Sequence, residues 1–171
     1  MTSEEKLKSI EEKFGFEFPK KMREDLLNHS GEEVDTEINE IIYSHPYEPF
    51  GVRQQTYIFD QYPSIDEMYN ENVDEHLYGL SVPEKAMSDD QALWDWIYDI
   101  WGYDKSEVSE DETKLTEEFL RENIVLMNYG DIQLMMNTKK GYFFMFYSDG
   151  EEFYMERGIV AKSWEELTGR I

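Results

Sequence analysis

The chain has 171 residues, 40% of them hydrophobic and 15% aromatic, with 39 acidic against 16 basic side chains and a formal net charge of −23. That length suits one domain with a sizeable core, and the apolar content excludes global disorder. The negative surplus argues against a nucleic-acid or anionic-membrane ligand, which would need a positive surface, and the absence of cysteine removes disulfide staples, thiolate-bound zinc and a cysteine nucleophile together.

Thr2 with Glu5 makes a capping box, and Leu7, Ile10 and Phe14 recur at helical spacing, so the chain is predicted to open with an amphipathic helix ending at Gly15. The opening Met1-Thr2-Ser3-Glu4-Glu5-Lys6 lacks the basic start and apolar run of a secretion signal, and no stretch approaches a membrane span; a cytoplasmic location is expected. Pro19 suits the first position of a second helix through Met22, Leu26 and Leu27, with Gly31 as its left-handed stop.

From Ile38 the pattern turns to β-branched and aromatic residues. Ile38 to Tyr43 and Val52 to Phe59 read as two strands, with His45-Pro46-Tyr47-Glu48-Pro49 as a turn or loop, because proline has no ladder donor. Ser64 with Glu67 and Ser88 with Gln91 are capping boxes introducing helices to about Leu77 and to Trp101, joined by a connection from Gly79 to Lys85. The acidic stretch Asp104 to Thr113 reads as a solvated loop before a helix at Leu115 to Arg121.

The last part reads as strands at Ile124 to Met127, Ile132 to Met136, Tyr142 to Tyr147 and Phe153 to Val160. Turn signals at Asn128 to Asp131, Thr138 to Gly141 and Ser148 to Gly150 separate them as in an antiparallel meander, and Ser163 with Glu166 starts a closing helix. The expected class is α+β, a mainly antiparallel sheet flanked by helices.

Motifs for chemistry are scarce. His29, His45 and His76 stand apart and none belongs to a zinc-binding helix pair; no nucleophile elbow, phosphate loop or dinucleotide fingerprint occurs. Asp149-Gly150-Glu151-Glu152 lacks the alternating ligands of a calcium loop and reads as a hairpin turn. No catalytic residue, cofactor or metal ligand is assigned. A carboxylate hydrolase using a metal is kept as a rival class, because abundant acids place some pair at a reactive separation by accident.

One helix stands out. Leu93, Trp96, Ile97 and Ile100 form a stripe that should face the core, and Trp94, Tyr98 and Trp101 form a second apolar stripe beside Asp89, Asp90, Asp95 and Asp99. The second stripe either packs inside the fold, as a helix sandwiched between two layers would require, or anchors a partner with the acids as rim.

The segment from Ile10 to Gly31 resembles the start of the SMI1/KNR4-like, or SUKH, superfamily: Ile10, Glu11, Gly15, Phe18, Pro19, Leu26, Leu27 and Gly31 fit its pattern of helix, glycine, apolar-proline step, second helix and glycine. Phe18 stands where leucine is usual and Ser30 where asparagine is common. Ile124 to Arg170 looks like the family's closing strands and helix, with Ile159-Val160-Ala161-Lys162-Ser163-Trp164-Glu165-Glu166-Leu167 resembling its ending. No signature aligns from Ile38 to Glu122. The resemblance implies an SMI1/KNR4-like α+β domain and, for bacterial members, an immunity protein that neutralises a polymorphic or contact-dependent toxin, often a nuclease, by direct binding; eukaryotic relatives imply a regulatory scaffold or adaptor instead.

Charge and resemblance converge on a basic protein partner, a toxin domain, with neither nucleic acid nor membrane. The surface expected to hold it contains Asp89, Asp90, Asp95, Asp99, Glu107, Glu110, Asp111 and Glu112, anchored by Trp94 or Tyr98.

Overall fold

Four apolar runs near the C-terminal end form the centre of the molecule. The computed structural model describes residues 1–34, 40–47, 51–74, 82–129, 132–147 and 158–169, with 40–47, 51–57, 101, 132, 147 and 158 described by backbone alone. Strands β3 (Asn123–Asn128), β4 (Ile132–Asn137), β5 (Phe143–Tyr147) and β6 (Gly158–Ala161) pair in chain order as an antiparallel meander. A separate two-stranded ribbon joins β1 (Glu40–Tyr47) to β2 (Gly51–Ile58), and β1 runs beside β6.

The meander is buried on both faces, which is why its strands are apolar without alternation. One face meets the N-terminal helices: Ile124, Leu126, Leu134, Met136, Phe143 and Met145 pack with residues of α1 (Ser3–Phe14), α2 (Lys20–His29), α3 (Ile65–Asn72) and the closing α7 (Trp164–Thr168). The other face presents Val125, Met135, Phe144 and Phe146 to α4 (Glu84–Met87), α5 (Asp90–Trp101) and α6 (Glu110–Glu122). A register shift between Val125 and Met127 inserts an extra residue, so Leu126 and Met127 both reach the first face. The result is α+β, three layers with the antiparallel sheet in the middle.

Local signals explain the helix ends. Thr2 and Glu5 satisfy each other's backbone N–H, and Gly15 closes α1 in the left-handed conformation at φ +67°. Pro19 caps α2 rather than opening it, and Gly31 lies beyond it at φ +75°. Between the two helices, the Glu11 carboxylate accepts from the Phe18 backbone N–H at 2.8 Å and from Arg23 at 2.6 Å, which fixes the turn through Gly15.

Two buried polar contacts tie distant parts together. The Trp164 indole N–H donates to Asp25 across 139 residues at 2.8 Å, joining α7 to α2, while Lys21 pairs with the same carboxylate at 3.1 Å. Asn72, only 2% exposed, behaves as a one-residue strand: its Nδ2 donates to the Val125 carbonyl and its Oδ1 accepts from the Val125 N–H, both at 2.8 Å. β3 is the edge of the meander, and this amide satisfies the outward backbone groups of Val125 under the cover of α3.

Several expected boundaries differ. His45, Pro46 and Tyr47 belong to β1 rather than to a loop, opposite Arg53, Val52 and Gly51 of β2. α3 ends at Asn72, well short of Leu77, where the chain turns Asn72 inward onto β3. α5 is capped by Asp89, whose carboxylate accepts from the Ala92 N–H, and not by Ser88; Lys85, read as connection, lies in α4. The acidic stretch read as a loop holds a 3₁₀ turn, Lys105–Glu107, and the first turn of α6, which Ser109 and Glu112 open with a capping box. Of the strand expected at Phe153 to Val160, the described part, from Gly158, lies in β6, and 153–157 fall outside the described residues. Ile38, Glu48, Pro49, His76, Leu77, 79–81, 130–131, 148–157 and Arg170 lie outside the described residues.

Replacing Asn72 with alanine strands two buried backbone groups. Asn72→Ala should cost about 2–4 kcal/mol of unfolding free energy in urea titration at unchanged slope, and a loss under about 0.5 kcal/mol would contradict the strand-like role.

Candidate functional site

α5 owes its position to the residues that pin it down. Leu93 and Ile97 are fully buried against the sheet, and Trp94 joins them at 5% exposure, its indole N–H donating to Glu117 of α6 at 2.9 Å. Arg121 of α6 clamps the start of the helix, donating to the Met87 carbonyl at 2.8 Å and pairing with Asp90 at 2.7 Å. The opposite side is free: Tyr98 is 58% exposed and Ile100 is 51% exposed.

This revises the expected stripes. Trp94 belongs to the core and presents no exposed anchor, whereas Ile100, expected inside, faces out; Trp96 is partly buried, and the Trp101 side chain lies outside the described residues. α5 is not sandwiched between layers. It forms part of an outer layer, so only one side of it is buried, while the sheet carries the double burial.

The ten residues expected to meet a partner fall into distinct places. Asp89 is the helix cap, Glu112 belongs to the α6 capping box, Asp90 is neutralised by Arg121, and Trp94 is core. Asp95, Tyr98 and Asp99 line an open groove of about 820 Å³ between α5 and the 3₁₀ turn, together with Tyr103, Asp104 and Lys105. Glu110 and Asp111 line an adjacent depression of about 760 Å³, which shares Lys105 and includes Asp90, Lys114 and Glu117. Glu107 is exposed on the 3₁₀ turn. Tyr103, Asp104 and Lys105 were missed; reading Ser109 with Glu112 as a cap would have turned the acidic stretch back towards α5 and exposed them.

The two acidic groups differ in what sustains them. Glu110, Asp111 and Glu112 occupy the first turn of α6, where the helix dipole favours anions. Asp95 and Asp99 stand four residues apart on one exposed face, a repulsive spacing, and Asp99 lies in the last turn of α5, which carries no basic residue and where the dipole disfavours negative charge. Gln91 offsets part of this by donating to Asp95 at 2.9 Å. Asp104 is held below the usual carboxylate range by hydrogen bonds from the Ser106 backbone N–H and hydroxyl, each 3.0 Å, so it stays ionised beside them.

Elsewhere, α3 carries Glu67, pushed above the ordinary glutamate value by burial and then by the charge of Glu71, against a hydrogen bond from the Asn128 backbone. Among the described residues no three acids or histidines are arranged to hold a metal ion, and no helix is long and apolar enough to cross a membrane. The chain matches no family model, no curated protein and no solved structure.

Trp94→Ala should remove about 3–5 kcal/mol of stability by emptying a core position, whereas Tyr98→Ala should stay within about 0.5 kcal/mol of the parent. Paired denaturant titrations check this; equal losses would mean that Tyr98 is packed as Trp94 is. A raised pKa means that ionising Glu67 works against the fold, so Glu67→Gln should melt higher than the parent at pH 7. The gain should shrink as pH falls through the raised value and vanish below the ordinary glutamate value of 4.5, where folded and unfolded parent are both protonated. A gain that persists unchanged at low pH contradicts the assignment.

Proposed function

We propose that this chain is a cytoplasmic, SMI1/KNR4-like immunity protein that neutralises a toxin by binding its basic domain, without catalysing a reaction. The observation that carries the reading is the placement of Asp95 and Asp99 on the exposed side of α5 beside Tyr98, with Asp104 facing them across an open groove. Those carboxylates work against the helix that bears them, and a charge held at the expense of stability is explained by what it meets. The resemblance of Ile10 to Gly31 and of Ile124 to Arg170 to the superfamily supplies the class of partner.

A toxin nuclease is basic because it holds phosphates, and a carboxylate-lined face competes for the same surface. Long-range attraction between the two accelerates encounter, while the exposed Tyr98 supplies apolar contact once they touch. The acids of the α6 first turn extend the negative field without being needed for contact.

The test is co-expression and purified binding with the basic toxin domain encoded beside this gene. Asp95→Lys combined with Asp99→Lys should slow association at low salt by about 10- to 100-fold and abolish protection from toxicity, while the same change at Glu110 and Asp111 should act more weakly. Unchanged binding after reversal at 95 and 99 would remove the site. Capture of several unrelated partners with no protection from the neighbouring product would favour an adaptor.

A further inference from the structure

Within the acidic face, one place has the shape and chemistry to take a single side chain. The groove between α5 and the 3₁₀ turn is lined by the exposed Tyr98, by Tyr103 and Trp94, and by Asp95, Asp99 and Asp104 against one basic residue, Lys105. Aromatic faces and carboxylates attract the same class of ligand, an organic cation, the rings through their negative faces and the acids through charge. The groove, about 820 Å³ and open to solvent, is wide enough to admit an arginine side chain.

We propose that this groove seats one arginine of the protein partner, its guanidinium stacked on the exposed Tyr98 ring and its N–H groups donating to Asp99 and Asp104; the inference rests on the partner-binding reading above. Arginine is favoured over lysine because a planar, weakly hydrated guanidinium stacks on a ring and forks to two oxygens at once, whereas an ammonium keeps its water and acts as a point charge. Asp104 is prepared for this, since the two bonds from Ser106 fix its carboxylate in place and keep it ionised. Lys105 is the competitor, a resident cation on the rim that any incoming one must displace or avoid.

The experiment is an NMR titration of the full chain with N-acetyl-arginine methylamide, and in parallel with the matching lysine compound, at low ionic strength. Arginine should move the backbone resonances of Gln91, Asp99 and Ser106 saturably, with half-saturation on the order of 10 mM for so small a probe, and lysine should bind more weakly. Tyr98→Ala should weaken arginine binding about two- to fivefold, the share expected of an exposed ring, and Lys105→Ala should strengthen it. Equal responses to the two probes, shifts spread evenly over the carboxylates of α3 and α6, or indifference to Tyr98→Ala would each overturn the seat. A saturable arginine response in a chain that binds no basic domain would keep the seat and defeat the immunity reading. Charge-dependent binding of a basic domain with no arginine response in the groove would do the reverse.

Discussion

The constraint that organises this molecule is an antiparallel sheet with apolar side chains on both of its faces. Ile124, Leu134 and Phe143 point one way and Val125, Met135 and Phe144 the other, so neither face can be left to water. At about 25 cal/mol per Å² of apolar surface, leaving either side bare would forfeit a large part of the net stability of a domain this size. Two helical layers are therefore required. The first comes mainly from the N-terminal helices and α7, the second from α4, α5 and α6. The segment between α3 and β3 is an obligatory cover, and the site lies on the outside of that cover.

The position of the site follows from the same constraint. α5 must give Leu93, Trp94 and Ile97 to the sheet, which leaves its other side free, and α6 must bring Phe119 and Leu120 beside them. The Arg121–Asp90 pair and the Trp94–Glu117 contact tie α6 to α5, so the groove between α5 and the 3₁₀ turn stands on a supported frame. Acidic residues on such a frame divide by physics. Those at the start of α6 have a local reason to be there; Asp99, in the last turn of α5, does not, and for Asp95 the Gln91 hydrogen bond offsets only part of the repulsion, which the proposed partner would account for.

The elements whose signals are local could be read from the sequence: the Thr2–Glu5 cap, the Gly15 and Gly31 stops, the first three strands of the meander and the closing helix all stand close to where residue chemistry puts them. Some misreadings missed local signals, the Asp89 cap of α5 and the Ser109–Glu112 capping box of α6, while others turned on neighbours that sequence order does not reveal. Pro46 pairs with Val52 in the β1–β2 ribbon, and Asn72, at the end of α3, reaches Val125, 53 residues away; neither partner is announced by the local sequence. The identical apolar character of Trp94 and Tyr98 gave no hint that one meets the sheet and the other meets water. Trp94 packs in the cluster under α5 with its indole held by Glu117 of α6, while Tyr98 faces water.

The central claim is that α5 carries negative charge at a cost to its own stability because that charge has work to do at a surface. The direct measurement is the melting temperature of the double variant Asp95→Asn, Asp99→Asn against the parent across salt concentrations. Relief of the i,i+4 repulsion and of the unfavourable dipole contact should raise the melting temperature by roughly 1–3 °C at low salt, and the gap should close as salt screens both terms. A variant that melts lower than the parent at every salt concentration would mean that these carboxylates hold the fold together, and the reading of the α5 face as a partner surface would fall with it.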